Sequence, residues 1–284
     1  MAEATVDIEA LRRHLSRLRP QAHAAPDVSV AIPVNAREDL GAALEVVAQV
    51  CGYSGDRTVE VVLAVNNYEP EAAPAEIEQY RALGLTVAAH PSVFRSGEAV
   101  CLSARMTGIR AAAAEAVVSF DADCRIRDVT RLLDWYVEQL TDPATGAAYG
   151  RVDYYDLRPL WSVRARIAAH HVSRWVKRVL LRIPTTRGSN YGVRRTAVLA
   201  LYDQGMLGDD LNVGPTVKAA GHRVVYTGSR TLAVETSGRR FTGGWRKLAR
   251  YLRYRLRYNR DMLPVLTNEE RQRRHGHHDR NLRG

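Results

Sequence analysis

An α/β fold with a mainly parallel sheet flanked by helices is what this 284-residue chain predicts. Three observations carry the prediction. Short β-branched runs alternate with stretches of helical apolar spacing, each of the main runs stops at Pro, Asn or Asp, and a 46% hydrophobic content is enough to bury a substantial core. Residues 1–27 read as an appended helix and linker, with Ile8, Leu11, Leu15 and Leu18 on one stripe between Arg12, Arg13, Arg17 and Arg19. Val28 to Ile32 forms a strand run closed by Pro33, and Leu40, Leu44, Val47 and Val50 mark a helix over 39–50. Val59 to Val65 repeats the strand, closed by Asn66 and Asn67, with a helix around 75–83. A weaker strand at 86–89 and a helix from about 98 to 115 lead to the run Ala116 to Phe120, which delivers Asp121 and Asp123. Beyond it the spacing predicts a helix over 128–140, a strand over 147–153, a long basic helix over 160–182 and a strand starting at Tyr191.

In parallel sheets of this kind ligands bind beyond the carboxyl ends of the strands. Pro33 to Asn35, Asn66-Asn67 and Asp121 to Asp123 all fall on that rim. Side chains two apart on an extended backbone share a side, so Asp121 and Asp123 can face one divalent cation and a diphosphate. An isolated Asp-x-Asp is otherwise a solvated turn, and its neighbours decide between the two. The resulting division is a helix and linker (1–27), a Rossmann-like nucleotide-binding half (28–127), an acceptor and catalytic half (128–242), and a basic amphipathic helix with a terminal tail (243–284).

Charge is unevenly distributed. Residues 239–284 hold 14 Lys+Arg against 4 Asp+Glu, the whole of the net +10, while the preceding residues balance at 27 of each. From 243 to 262, Arg246, Arg250, Arg253, Arg257 and Arg260 line one stripe, and Trp245, Leu248, Leu252 and Leu256 another. Such a helix either lies on an anionic membrane surface or packs its apolar stripe on the catalytic domain. Nucleic acid is disfavoured as a partner, because basic residues and stacking aromatics form no recognisable motif. No run approaches the roughly 18 apolar residues of a spanning helix, and the N-terminus lacks a secretion-signal core. The expectation is therefore a cytoplasmic protein, peripheral at the inner face of the cell membrane if the basic helix binds lipid. Cys51, Cys101 and Cys124 lack zinc or disulfide spacing and read as small core residues. The terminal stretch with His275, His277 and His278 reads as a mobile tail.

Five ordered segments resemble family 2 glycosyltransferases of the A-type fold. Val28-Ser-Val-Ala-Ile-Pro-Val34 is similar to the opening strand, Val65-Asn-Asn67 to the end of the second, and Gly97 with Ala104-Arg105-Met-Thr-Gly108 to the following helix. Phe120-Asp-Ala-Asp123 is similar to the metal triplet, and Gly188-Ser-Asn190 with Gly208-Asp-Asp210 to the acceptor loop and acidic pair. The resemblance implies an inverting, metal-dependent transfer of a sugar from a nucleotide-diphosphate donor to an acceptor hydroxyl; a basic helix lying on a membrane would present the site to a lipid-linked acceptor. Asp123 and Asp121 would hold Mn²⁺ or Mg²⁺ on the diphosphate. Asp210 would be the general base, with Asp209 orienting it, holding the acceptor or acting as the base itself. N-capping of a helix over 211–220 by Asp209-Asp210 is the bland alternative. Pro33, Asn35, Asn66, Asn67, Arg105, Arg239 and Arg240 would contact the donor, and Gly188, Ser189 and Asn190 the acceptor. For Gly188 to Asn190 a plain turn, and for Arg239-Arg240 a solvated face, are the competing readings. Asn66-Asn67 stands where the family has an acidic pair, Tyr68-Glu69 where it has Gly-Ser, and Met106 where it has Asn, so donor base and sugar are left open. A sugar nucleotidyltransferase lacks support, because Pro33-Val-Asn-Ala-Arg37 is not a Gly-rich phosphate loop; a non-catalytic nucleotide-sugar or anionic-surface binding protein is the other alternative.

Overall fold

A computed structural model describes residues 8–18, 25–91, 100–157, 160–238, 241 and 253. Its elements in order are α1 (Ile8–Leu18), β1 (Val28–Asn35), α2 (Leu40–Cys51), β2 (Val59–Asn66), α3 (Glu76–Ala82), β3 (Thr86–His90), α4 (Val100–Ala111), β4 (Ala116–Ser119), β5 (Arg125–Ile126) and α5 (Val129–Thr141), followed by β6 (Thr145–Gly150), β7 (Val152–Tyr155), α6 (Trp161–Val179), β8 (Tyr191–Arg194), α7 (Arg195–Asp203), α8 (Val213–Ala219), β9 (Arg223–Thr227) and β10 (Val234–Ser237). Seven strands form the main sheet in the order β3-β2-β1-β4-β8-β6-β9, and β5, β10 and β7 form a small second sheet. The run β3-β2-β1-β4 is parallel, β8 is antiparallel to both its neighbours, and β6 and β9 are parallel.

Continuous burial of β1 and β2 follows from helices on both faces. Val30, Ile32 and Val34 of β1 with Val61, Leu63 and Val65 of β2 pack with α1, α2, α3 and α5, whereas Ala31 and Val62 pack with α4, α7 and α8. Pro33 sits in β1 opposite Ala64 of β2, but β4 pairs only as far as Ala31. A residue without an N–H is therefore placed where the β4 side of the ladder has already ended. In α1, Leu11, Leu15 and Leu18 are buried as expected, while Ile8 is exposed.

Two sequence expectations are corrected. The strand expected over 147–153 is two strands in different sheets, β6 and β7, broken at Arg151, because the Asn190 side chain enters the break and donates to the Arg151 carbonyl at 2.9 Å. The helix expected to reach 115 stops at Ala111, where side chains of the neighbouring strands capture the next amides. Glu60 accepts from the Ala113 N–H at 2.8 Å and Ser29 from the Ala114 N–H at 3.0 Å. Arg239, Arg240, the histidine-bearing tail and, Arg253 apart, the basic helix expected over 243–262 lie outside the described residues.

Helix α6 distributes its residues unusually. Trp161, Val172, Trp175 and Val179 are exposed, and Leu180 and Leu181 just beyond it are too, whereas His170, Arg174 and Lys177 are buried.

Candidate active site

The rim at the carboxyl ends of β1, β2 and β4 is drawn together by short polar contacts. Asn67 adopts a left-handed backbone (φ 65°), a conformation asparagine tolerates. From there its amide donates to Asn35 Oδ1 at 2.8 Å, tying the end of β1 to the end of β2. Asn66 is buried and donates to the Ala64 carbonyl at 3.3 Å. Asp121 and Asp123 follow β4 in a turn closed by the Cys124 N–H bonding the Asp121 carbonyl at 3.1 Å. The small sheet holds Asp123 from two sides, with Thr236 donating to its Oδ1 at 3.1 Å and Tyr155 to its carbonyl at 2.8 Å.

Arg105 of α4 is the hub. Only 2% exposed, it donates through Nε to Asp210 Oδ1 at 3.0 Å and through Nη2 to Asp121 Oδ1 at 2.6 Å and Asp210 Oδ2 at 3.4 Å. Its Nη1 donates to Ser119 Oγ at 2.6 Å and the Gly188 carbonyl at 2.8 Å. The five N–H groups of a guanidinium are thereby directed at protein oxygens. Burial by itself would lower the Arg105 pKa, but Asp210 and then Asp121 outweigh it and hold it well above the usual arginine value. Because Nη2 touches both carboxylates, these oxygens of Asp121 and Asp210 lie at most about 6 Å apart. Residues from two halves of the chain thus meet at one cation.

Asp210 is 7% exposed and does not cap the helix after it: α8 starts at Val213 with Asn212 before it. Asn212 Oδ1 instead accepts from the Asp209 N–H at 3.2 Å and the Gly208 N–H at 3.4 Å, closing the loop that turns Asp210 inward. Thr186 fixes the Asp210 main chain by donating its hydroxyl to the Asp210 carbonyl. Asp209, next to it, is half-buried. Gly188 has a steric reason to be glycine: a Cβ there would lie 2.7 Å from Asp210 Oδ2 and closer still to Arg105 Nη2.

The three residues expected to contact the acceptor separate. Gly188 is half-buried at the carboxylates, and Ser189 is buried, its carbonyl accepting from Cys124 Sγ at 3.5 Å. Asn190 is fully enclosed, its Oδ1 accepting from Tyr136 at 2.7 Å and its Nδ2 donating to the carbonyls of Arg151 and Leu232. Its amide joins α5 to the β6–β7 break. Sequence reasoning missed Ser119, Tyr155, Thr186 and Thr236. Ser119 had a visible signal, a hydroxyl in the apolar run before Asp121 and two residues from it, hence on the same side of the strand.

Asp121, Asp123 and Cys124 bring ligand atoms within 4.8 Å of one another. Two carboxylates fit a hard divalent cation such as Mn²⁺ or Mg²⁺. The Cys124 thiol is soft and donates instead to the Ser189 carbonyl at 3.5 Å, and burial, followed by the charges of Asp121 and Asp123, pushes its pKa up.

This architecture is that of the A-type glycosyltransferases. Among solved structures the chain is similar to the mannosyltransferase PcManGT from Pyrobaculum calidifontis in complex with GDP-Man and Mn²⁺, with 20% identity over 86% of this chain and 69% of that one and a TM-score of 0.51. It is also similar to GalNAc-T7 with UDP, GalNAc and Mn²⁺, at 16% identity and a TM-score of 0.50, over 75% of this chain and 43% of that longer one. No protein-family model matches the sequence, and no curated protein does.

Proposed function

We propose that the chain is a metal-dependent, inverting glycosyltransferase of the family 2 type, moving a hexosyl group from a nucleotide-diphosphate sugar to an acceptor hydroxyl. One observation carries this reading: Arg105 holds Asp121, on the donor side, and Asp210, on the acceptor side, within one guanidinium of each other. An anomeric carbon attached to a diphosphate at Asp121 and Asp123 would then lie next to a carboxylate able to take a proton. Asp123 and Asp121 would hold a divalent cation, whose positive charge would stabilise the departing nucleoside diphosphate. Asp210 accepts the acceptor's hydroxyl proton as the new C–O bond forms, and the anomeric C–O bond to the diphosphate breaks with its electron pair leaving on phosphate. Attack from the face opposite the leaving group inverts the anomeric configuration. Oδ2, the oxygen of Asp210 more weakly held by Arg105 and the one beside Gly188, is the site for the proton. Asp209 supports the loop and is the alternative base. We assign Asn35, Asn66, Asn67 and Pro33 to the nucleoside side of the donor; Arg239 and Arg240, outside the described residues, are assigned to its diphosphate from the sequence alone. The similar structures carry GDP-Man in one case and UDP in the other, so both bases belong in the test.

The test is a panel of nucleotide sugars with Mn²⁺ or Mg²⁺, scored for nucleoside diphosphate release and for the anomeric configuration of the product. Asp123→Ala should abolish metal-dependent donor binding, and Asp210→Asn should lower turnover by ~10²-fold or more, the scale of a lost general base. Failure of every donor to bind, or unchanged turnover in both variants, sinks the assignment; loss in Asp209→Asn but not Asp210→Asn moves the base to Asp209.

We further propose an anionic membrane surface as a partner. Among the described residues no helix is long and apolar enough to cross a membrane. The exposed Trp161, Val172, Trp175, Val179, Leu180 and Leu181 beside exposed Arg164 and Arg182 form an apolar face with a basic edge, complementary to anionic lipid and on the same chain as the cationic 239–284 segment. Sedimentation with anionic and neutral vesicles over a salt series tests it. Binding to anionic vesicles that weakens in salt and in Trp161→Ser/Trp175→Ser supports it, and no binding at low salt overturns it.

A further inference from the structure

The inward face of α6 meets the start of the acceptor loop in a cluster of cations and rings. Arg187 bonds His170, and its guanidinium lies 5.4 Å from the centroid of the Tyr154 ring. His170 and Phe241 close on the same ring, with centroids 6.2 Å and 4.7 Å from it. His171 stands in the field of Arg151, Arg174 and Arg187, with Asp153 the opposing charge. Asp153 is itself shared between Arg127 and Arg151. The cluster therefore carries an excess of positive charge, and the local sequence offers nothing to balance it: from Leu157 to Tyr202 there are ten Lys+Arg and no Asp or Glu. Arg174 is buried and Arg151 and Arg187 are half-buried, a setting in which a bound anion meets little competing water.

Two further observations point to a ligand there. The Tyr154 hydroxyl, in the middle of the cluster, is buried and has no hydrogen-bond partner among the described residues, which leaves a donor awaiting an acceptor. Arg187 also immediately precedes Gly188, the residue beside Asp210 whose carbonyl accepts from Arg105. Arg187 is thus one peptide bond away from the residue that lies beside the proposed base.

We propose that this cluster is an anion subsite for the acceptor, and that the acceptor is a phosphate ester whose phosphate is held by Arg187, Arg174 and Tyr154 while its hydroxyl reaches Asp210. The inference rests on the glycosyltransferase reading and refines it, naming the acceptor's chemical class. A guanidinium fork matches phosphate oxygens, and the Tyr154 hydroxyl adds a neutral donor. The phosphate ester is either a small water-soluble metabolite or a lipid headgroup; both present the same group to the cluster.

Isothermal titration with inorganic phosphate, in EDTA so that no metal-bound diphosphate site competes, reads the subsite directly. Wild-type protein should bind phosphate, Arg187→Gln and Tyr154→Phe should bind it more weakly, by about tenfold for the lost guanidinium, and Arg187→Lys should fall between. Arg131→Gln, on the exposed surface of α5, should match wild type. Thermal melting of each variant separates lost binding from lost folding, and Tyr154→Phe keeps the ring packing should Arg187→Gln unfold. Donor binding with Mn²⁺ is measured separately on the same proteins. Donor binding without phosphate binding that depends on Arg187 or Tyr154 overturns the subsite alone, whereas phosphate binding with no nucleotide sugar bound overturns the acceptor role along with the glycosyltransferase reading. Matched pairs of alcohols then distinguish the sources: turnover should favour the phosphorylated member by tenfold or more, either for a soluble ester or for a phosphate-headed lipid in vesicles, and equal turnover of phosphorylated and dephosphorylated members overturns the proposal.

Discussion

Replacing Arg105 by methionine removes the one cation that separates two carboxylates while keeping most of the side-chain volume. At a charge separation of ~4 Å and an effective dielectric of ~20, each guanidinium–carboxylate pair is worth about 4 kcal/mol before desolvation. The Asp210 pair keeps most of this, since both partners are buried, whereas the Asp121 side chain is 38% exposed and its share is screened toward the ~0–1 kcal/mol of surface pairs. Arg105→Met therefore leaves Asp210 buried without a counter-charge, and the Ser119 hydroxyl and Gly188 carbonyl without their donor. A loss of ~3–5 kcal/mol is expected, the range for breaking a buried pair from one side, which lowers the melting temperature by ~6–20 °C in a chain of this size. Thermal and urea unfolding at neutral pH are the assays, and the decisive variant is Arg105→Met/Asp210→Asn. Neutralising the stranded carboxylate should recover at least ~1 kcal/mol of the loss. A single variant that loses under ~1 kcal/mol, or a double variant no more stable than the single, refutes the electrostatic argument.

Further outcomes follow from neighbouring features. Gly188→Ala should lower turnover more than tenfold with a stability loss of ~1–3 kcal/mol, because the new methyl group must displace Arg105 or Asp210; unchanged kinetics would mean the loop yields freely. Burial lowers the pKa of His90 and of His171, so the unfolded chain takes up protons first. Stability should be fully present above about pH 6.5, the ordinary histidine value, and decline as pH falls toward the depressed folded-state values; His90→Gln should flatten that decline in urea midpoints measured at pH 7.5 and 5.5. Burial pushes the Cys51 thiol up to about 12, leaving on the order of 10³-fold less thiolate at pH 8 than in the unfolded chain. Iodoacetamide followed by peptide mass spectrometry should find Cys51 unlabelled in the native protein and labelled in urea.

The part of the chain through β4 was readable because its signals are local. Strand runs such as Val59 to Val65 are buried on both faces and need only β-branched residues, and Asp121 and Asp123 must follow a strand to face the rim. Element bounds from β1 to β4 fall within a residue or two of the sequence reading, apart from the β1 end, which runs past Pro33 to Asn35, and the α4 end, which depends on Glu60 and Ser29 from elsewhere in the chain. The part beyond β4 was less legible, since its order is set by distant partners. Nothing near residue 150 announces that Asn190 will enter and split one strand into two. Nor does the spacing of α6 say that its charged side faces inward, a pattern opposite to ordinary amphipathicity. Arg105 was legible as a site residue, but its attachment to both carboxylates was not, because Asp210 lies 105 residues further on.

That long separation also bears on the order in which the molecule is built. Contacts distant in sequence are closed late, after local helices and strand pairs have formed. A nascent chain that has completed β4 possesses Arg105, Ser119 and Asp121 but neither Gly188 nor Asp210, so its guanidinium has two of its four partner residues. The Arg105 cluster is consequently completed only when the loop ahead of α8 docks, and a fragment ending after Asp123 would own both carboxylates of the rim without Asp210 and without Tyr155 and Thr236, which hold Asp123.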